Sequence, residues 1–149
     1  MLGKKGFYTK TLNTIREPEG PEGRFLTLTV ERGRDTLTLL NLNAPNQAQD
    51  TFIRQTLRGR SVAGDIIVGG DFNLVWSPEL DGNTTNMQDM GAMSKQLKKE
   101  LTDTSLVDAL RYFHPDTEDY SLHSHVHLSY LRIDYLFTTP AFLVTIGSA

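Results

Sequence analysis

Residues 64–73 read GDIIVGGDFN. The apolar run Ile66-Ile67-Val68 is short and ends in Gly-Gly-Asp, which predicts a buried strand whose C-terminal end delivers polar side chains. Asp71 and Asn73 stand two residues apart just past that strand, so both point to the same side. A carboxylate with a carboxamide there suits metal binding, or the activation and orientation of a water. Asp accepts a proton or holds Mg²⁺, and Asn both donates and accepts. The plain structural alternative is an Asx turn closing the strand.

Upstream, FLTLTV (Phe25 to Val30) and TLTLLNLN (Thr36 to Asn43) alternate apolar residues with polar ones, joined by the Gly-containing ERGRD. That pattern predicts a β-hairpin. After Ala44-Pro45-Asn46 the period changes. Phe52, Ile53, Thr56 and Leu57 form the stripe of a short amphipathic helix, with Asn46 or Asp50 able to cap its start. Downstream, a second helix is expected over Asp89 to Leu101, with Met90, Met93, Leu97 and Leu101 on one face and Lys95, Lys98 and Lys99 outside. A short third helix is expected within residues 102–116, stopped by Pro115. DYSLHSH, LRIDYLFTT and AFLVTIG then read as three strands. Strands flank helices throughout, so the class is α/β with a mixed or antiparallel sheet.

The composition bounds the function. The chain has 149 residues, 15 Lys+Arg against 18 Asp+Glu, a net charge of −3, and 38% hydrophobic residues. Mild acidity argues against coating nucleic acid by bulk charge. With Cys 0, disulfide scaffolds, thiolate zinc sites and cysteine nucleophiles are excluded. No apolar run approaches the ~18 residues of a membrane span. The start lacks the apolar segment of a secretory signal, which points to an intracellular setting, nuclear or cytoplasmic. The first 16 residues carry Lys4, Lys5, Lys10 and Arg16 without an acid.

Two further constellations bear chemistry. Asp134 sits in RIDYLF, an acid within an otherwise apolar strand. A buried Asp needs a partner, so either Arg132 pairs with it or it is aimed at a site. His123, His125 and His127 form His-x-His-x-His, which on a regular strand would share one face and present a zinc site. No carboxylate is close in sequence to support it.

The joint order of LLNLNAPN (Leu39 to Asn46), VGGDFN (Val68 to Asn73) and the stretch from Asp108 to Phe137 resembles the endonuclease/exonuclease/phosphatase superfamily. It is most similar to the endonuclease domain of non-LTR (LINE-type) retrotransposons, over essentially the whole chain. The resemblance implies part of a four-layer α/β sandwich, two packed mixed β-sheets flanked by helices. It also implies a nuclease that cleaves DNA phosphodiester bonds with Mg²⁺ or Mn²⁺. On that resemblance Asp71 activates the attacking water and holds the metal, Asn73 orients the water, and Asn46 hydrogen-bonds the scissile phosphate region. Asp134 is the buried acid that orients a catalytic histidine. Asn43, Arg111 and Arg132 fall among the nucleic-acid contacts, and the basic N-terminal stretch joins them.

The departures from the family pattern shape a second expectation. Asn43 stands where the family has Tyr, Leu131 where Ser is typical, and Gly82 where an Arg is supplied. The family's metal-ligand Glu is expected before residue 1 and its Ser-Asp-His motif after residue 149. Residues 1–149 are therefore expected to form a partial, inactive domain, a retroelement-derived remnant or interaction module. A partner chain would cover its open sheet edges.

Overall fold

Apolar and polar residues alternate along β2 (Phe25–Arg32) and β3 (Asp35–Asn43), and the two pair antiparallel as the expected hairpin. The computed structural model describes residues 13–16, 23–32, 34–58, 64–83, 91–125 and 128–147. The basic residues Lys4, Lys5 and Lys10, along with Met90 and His127, lie outside the described residues. β1 (Asn13–Arg16) pairs antiparallel with β2 at one edge. Helix α1 (Gln49–Arg58) then carries the chain back, so that β4 (Asp65–Asp71) lies parallel to β3. β8 (Asp134–Thr138) runs antiparallel beside β4, and the two-residue β5 (Val107–Asp108) closes the far edge. The six-stranded mixed sheet has the order β1-β2-β3-β4-β8-β5. β6 (Leu122–Ser124) and β7 (Ser129–Leu131) form a second, two-stranded sheet.

Register assigns the two faces of the large sheet. Thr27, Leu40, Val68 and Phe137 are opposite one another across four strands, and Phe25, Leu42, Gly70 and Tyr135 form the next row. This face is the core. Leu40, Leu42, Val68, Phe72 and Phe137 pack with Ile53 of α1 and with Leu97 and Leu101 of α3 (Lys95–Asp103). The other face carries the row Leu26–Asn41–Gly69–Leu136, in which Leu26 remains 40% and Leu136 47% exposed.

One close contact requires glycine. Gly70 has φ +129°, and a Cβ there would strike the Leu42 carbonyl of β3. That backbone proximity draws the β3 and β4 ends together directly under the polar row described below. Across α1 and α3, Arg54 Nη2 reaches Glu100 Oε1 at 2.9 Å and Arg58 Nη2 reaches the same oxygen at 2.5 Å. The Arg54 hydrogen bond leads in drawing the Glu100 carboxyl down to about 2, with help from Gln96 and Arg58.

Three sequence expectations are corrected. AFLVTIG is not a strand: it belongs to α5 (Pro140–Gly147), which buries Leu143. An apolar run of that length does not distinguish strand from helix, and Pro140 at the first position favours the helix. The second helix begins at Lys95 rather than Asp89, because Ser94 caps it by accepting from Leu97 N at 3.0 Å. The residues before it are extended, with Ala92 bridged to Val75 and Met93 N donating to Val75 O. LRIDYLFTT is interrupted at Arg132-Ile133, so that β7 and β8 join different sheets. The break follows from Arg132. Its backbone N–H donates to Asp81 O, and its side chain turns into a buried cluster with Asp81, at the end of α2 (Pro78–Asp81), and Asp108. No described helix is long and apolar enough to cross a membrane.

Candidate active site

The polar row at the end of the large sheet is set by strand register. Asn43 is opposite Asp71 across the parallel β3–β4 pair, and Asp71 is opposite Asp134 across the antiparallel β4–β8 pair. These three side chains continue the same face as Leu26, Asn41 and Leu136. β4 ends where β8 begins, so two carboxylates that lie 63 positions apart by numbering meet side by side.

Phe72 anchors the turn that follows. Its backbone N–H donates to Ile133 O at 2.8 Å, and its ring packs edge-on against Tyr135 at 5.5 Å. The chain then doubles back through Asn73, whose φ of 49° is a left-handed conformation that Asn tolerates well. Asn73 N donates to Asp71 Oδ1 at 2.8 Å, which is the Asx turn. The same turn presents the Asn73 side chain to the β3–α1 loop. Its Nδ2 donates to Ala44 O at 2.7 Å and to Asn46 Oδ1 at 3.4 Å. Ala44 N closes the contact by donating to Asp71 O at 2.8 Å. Asp71, Asn73, Asn46 and Asn43 are thus brought to one corner, with Asp134 alongside. The Asx turn and the clustering coexist, since the turn builds the cluster.

Burial is the largest influence on the Asp71 carboxyl and pushes its pKa up. The Asn73 N–H counteracts this, and the neighbouring Asp134 charge adds to the rise. A carboxylate held this way binds a proton or a cation more readily than an isolated one.

Asp134 departs from expectation by being exposed rather than buried. Tyr135 and Phe137 take the inward positions of β8, so strand alternation turns Asp134 and Leu136 outward. Its backbone is fixed by Ser121 Oγ, which accepts from both Ile133 N and Asp134 N at 3.1 Å. A cavity of about 280 Å³ lies beside it, walled by Asp119, Tyr120, Ser121, Tyr135 and Leu136.

Arg132 does not pair with Asp134. Its Nε donates to Asp81 Oδ1 at 2.8 Å and its Nη2 to Asp108 Oδ2 at 2.5 Å, all largely removed from solvent. Arg111 Nη2 donates to the same Asp81 oxygen at 2.5 Å, and its Nη1 to Thr117 O. Burial disfavours the Asp81 carboxylate, but the Arg132, Ser77 and Arg111 hydrogen bonds prevail and hold its pKa below the ordinary value. Both guanidiniums are therefore committed to carboxylates inside the protein, which corrects the expectation that they reach phosphate. Sequence reading missed Asp81 and Asp108. Their signal was the Ser-Pro start of α2 and the lone acid in the apolar LVDAL, a charge that needs a partner once buried. His123 lies on β6 and His125 in the turn after it, with ring centroids 4.2 Å apart. Among the described residues, no group of three or more His, Asp or Glu side chains is placed to hold a metal ion.

No family model matches this chain. Solved structures do. An AP endonuclease from Archaeoglobus fulgidus superposes with a TM-score of 0.61 at 16% identity, over 89% of this chain and 59% of its own. The 3'-5' exonuclease NExo from Neisseria meningitidis gives 0.59 at 19%, covering 90% and 59%. The chain has the fold of these nucleases. The Xenopus laevis APE2 catalytic domain gives 0.55 at 20%, covering 83% of this chain and 48% of its own. The α/β sandwich class expected from sequence is thus the observed one, and the chain spans about half to three-fifths of the lengths it matches.

Proposed function

We propose that this chain is part of a metal-dependent phosphodiesterase domain acting on DNA, most similar to the LINE-type retrotransposon endonucleases. The observation that carries this reading is the Asn43–Asp71–Asp134 row with Asn73 and Asn46 folded onto it. Asp71, its proton affinity raised by burial and by Asp134, takes the proton from an attacking water. Asn73 and Asn46 hold that water and the phosphate oxygen, and Asn43 contacts the strand where the family has a phenol. Phosphoryl transfer asks for positioning and charge neutralisation rather than covalent help from the protein. The donor set is all oxygen and fits Mg²⁺ or Mn²⁺, with Asp71 as the ligand and Asp134 reinforcing the local charge. When bound, such an ion neutralises charge on the phosphate. One or two carboxylates hold Mg²⁺ loosely without substrate phosphates. The chain on its own is therefore proposed to bind the ion without turning over.

Mn²⁺ titration followed by water-proton relaxation tests the site. The expected result is weak binding to wild type, lost in Asp71→Asn; equal binding by both proteins overturns the site. A plasmid-nicking assay with Mg²⁺ tests the proposed inactivity. Wild type is expected to nick no faster than Asp71→Ala, and wild-type nicking that this substitution removes would restore an active nuclease.

A further inference from the structure

Tyr135 is an inward residue of β8, and its ring is packed against three neighbours. Phe72 meets it edge-on at 5.5 Å, Phe137 lies 24° from parallel at 5.6 Å, and the Arg132 guanidinium sits over it at 4.4 Å. A phenylalanine would fill that space equally well. The hydroxyl is what the packing does not explain, and a buried hydroxyl must find partners. It finds them in two separate segments. It donates to Arg132 O at 2.7 Å and accepts from Trp76 N at 2.8 Å, with Asp81 Oδ2 3.4 Å away.

Both segments carry the side chains of the Asp71 corner. The turn after β4 runs from Phe72 to Trp76 and holds Asn73 in its left-handed conformation. It is fastened at one end by Phe72 N, which donates to Ile133 O, and at the other by Trp76 N on the phenol oxygen. The segment that enters β8 is fastened in return. Arg132 N donates to Asp81 O, Arg132 O accepts from the phenol, and Ser121 Oγ accepts from Ile133 N and Asp134 N. Each backbone group from Arg132 N to Asp134 N thus has a fixed partner, as buried backbone requires. Asn73 passes this order on: its N–H holds Asp71 Oδ1 and its Nδ2 holds Ala44 O. We infer that Tyr135 is a positioning residue for the Asp71 site, its hydroxyl tying the Asn73 turn to the entry of β8 and so fixing how the Asp71 carboxylate faces a cation. Groups that orient a ligand without touching the metal commonly tune its affinity. The inference rests on the metal-site reading proposed above and adds the residue that sets its geometry.

Tyr135→Phe keeps the ring and removes only the oxygen, and two measurements on the whole chain test its effect. The first is amide hydrogen exchange in EDTA. Exchange at Phe72 and Asn73, whose N–H groups do not bond the phenol, is expected to quicken severalfold relative to the amides of the β3–β4 ladder. The second is Mn²⁺ titration followed by water-proton relaxation, in which Tyr135→Phe is expected to weaken binding roughly tenfold. Leu143→Ala is the control for lost stability alone. It empties a buried position of α5, which follows the far end of β8, and is expected to lower the melting temperature while binding Mn²⁺ as wild type does. The inference is overturned if Tyr135→Phe binds Mn²⁺ as tightly as wild type, if Leu143→Ala loses as much affinity, or if Phe72 and Asn73 exchange no faster than the ladder. Wild type that fails to bind Mn²⁺ overturns the Asp71 reading instead, and the exchange comparison still decides whether Tyr135 holds the turn.

Discussion

Asp71 is held where its charge is unwelcome, half-buried and opposite another carboxylate on the adjoining strand. Because its pKa is raised in the folded state, the native protein retains a proton that the unfolded chain releases over the same interval. Its contribution to stability is therefore fully present below the ordinary carboxyl range and is lost as pH rises through the raised value. Asp71→Asn should melt at a higher temperature than wild type at neutral pH, with the difference closing under acid conditions. Melting curves across that range check it, and a destabilised variant at neutral pH would refute it. Gly70, one residue earlier, is a steric requirement. Gly70→Ala should cost at least roughly 1–3 kcal/mol by chemical denaturation, because its Cβ meets the Leu42 carbonyl and its φ is unsuited to an L side chain. GGDFN made the corner legible in sequence, since a strand end followed by an acid and an amide prescribes both the turn and its polar side. The pairing of Asp71 with Asp134 was not legible, because it depends on which strand lies next to β4. Register across a sheet is a tertiary property that no local pattern carries.

At the scale of elements, two charge clusters hold the helices and loops that surround the site. Glu100 joins α3 to α1 through Arg54 and Arg58, and its carboxyl is drawn down to about 2, chiefly by Arg54. A depressed carboxyl contributes stability above its unfolded pKa and loses it as pH falls towards the folded value. Glu100→Gln should therefore flatten the acid limb of the stability profile, measured by urea midpoints at successive pH values. The second cluster, Asp81 with Arg132, Arg111 and Asp108, is far less exposed. Asp81→Ala leaves Arg132 buried with half its partners and should destabilise by about 3–5 kcal/mol, readable in a denaturant melt. The alternating hairpin and the Ile53 stripe of α1 were readable because each has a period matched to its element. α5 was not, since its apolar run fits a strand as well as a helix until Pro140 and the packing of Leu143 decide. The break between β7 and β8 escaped for a similar reason: it exists because a buried arginine must reach two acids contributed by distant segments.

Across the whole molecule, one face of the central sheet is packed with α1 and α3, while the other presents Leu26 and Leu136 beside the polar row. Apolar side chains in that position favour association, and we propose a partner chain as their cover. Wild type is expected to self-associate with rising concentration in sedimentation, and Leu136→Lys to reduce this without lowering the melting temperature. A sharply melting monomer at all concentrations would count against it. The fold class was legible because three motifs in one order fix it. The open face became visible once register had placed Leu26 of β2 and Leu136 of β8 on the side opposite the core residues Leu40 and Leu42 of β3. The proposed nuclease reading stands or falls with metal binding at the Asp71 corner. Crystals soaked in a manganese salt and measured for anomalous scattering test it most directly. A peak is expected at a coordination distance of about 2 Å from an Asp71 carboxylate oxygen, on the side shared with Asp134. Crystals with manganese bound elsewhere and none at Asp71 would contradict it.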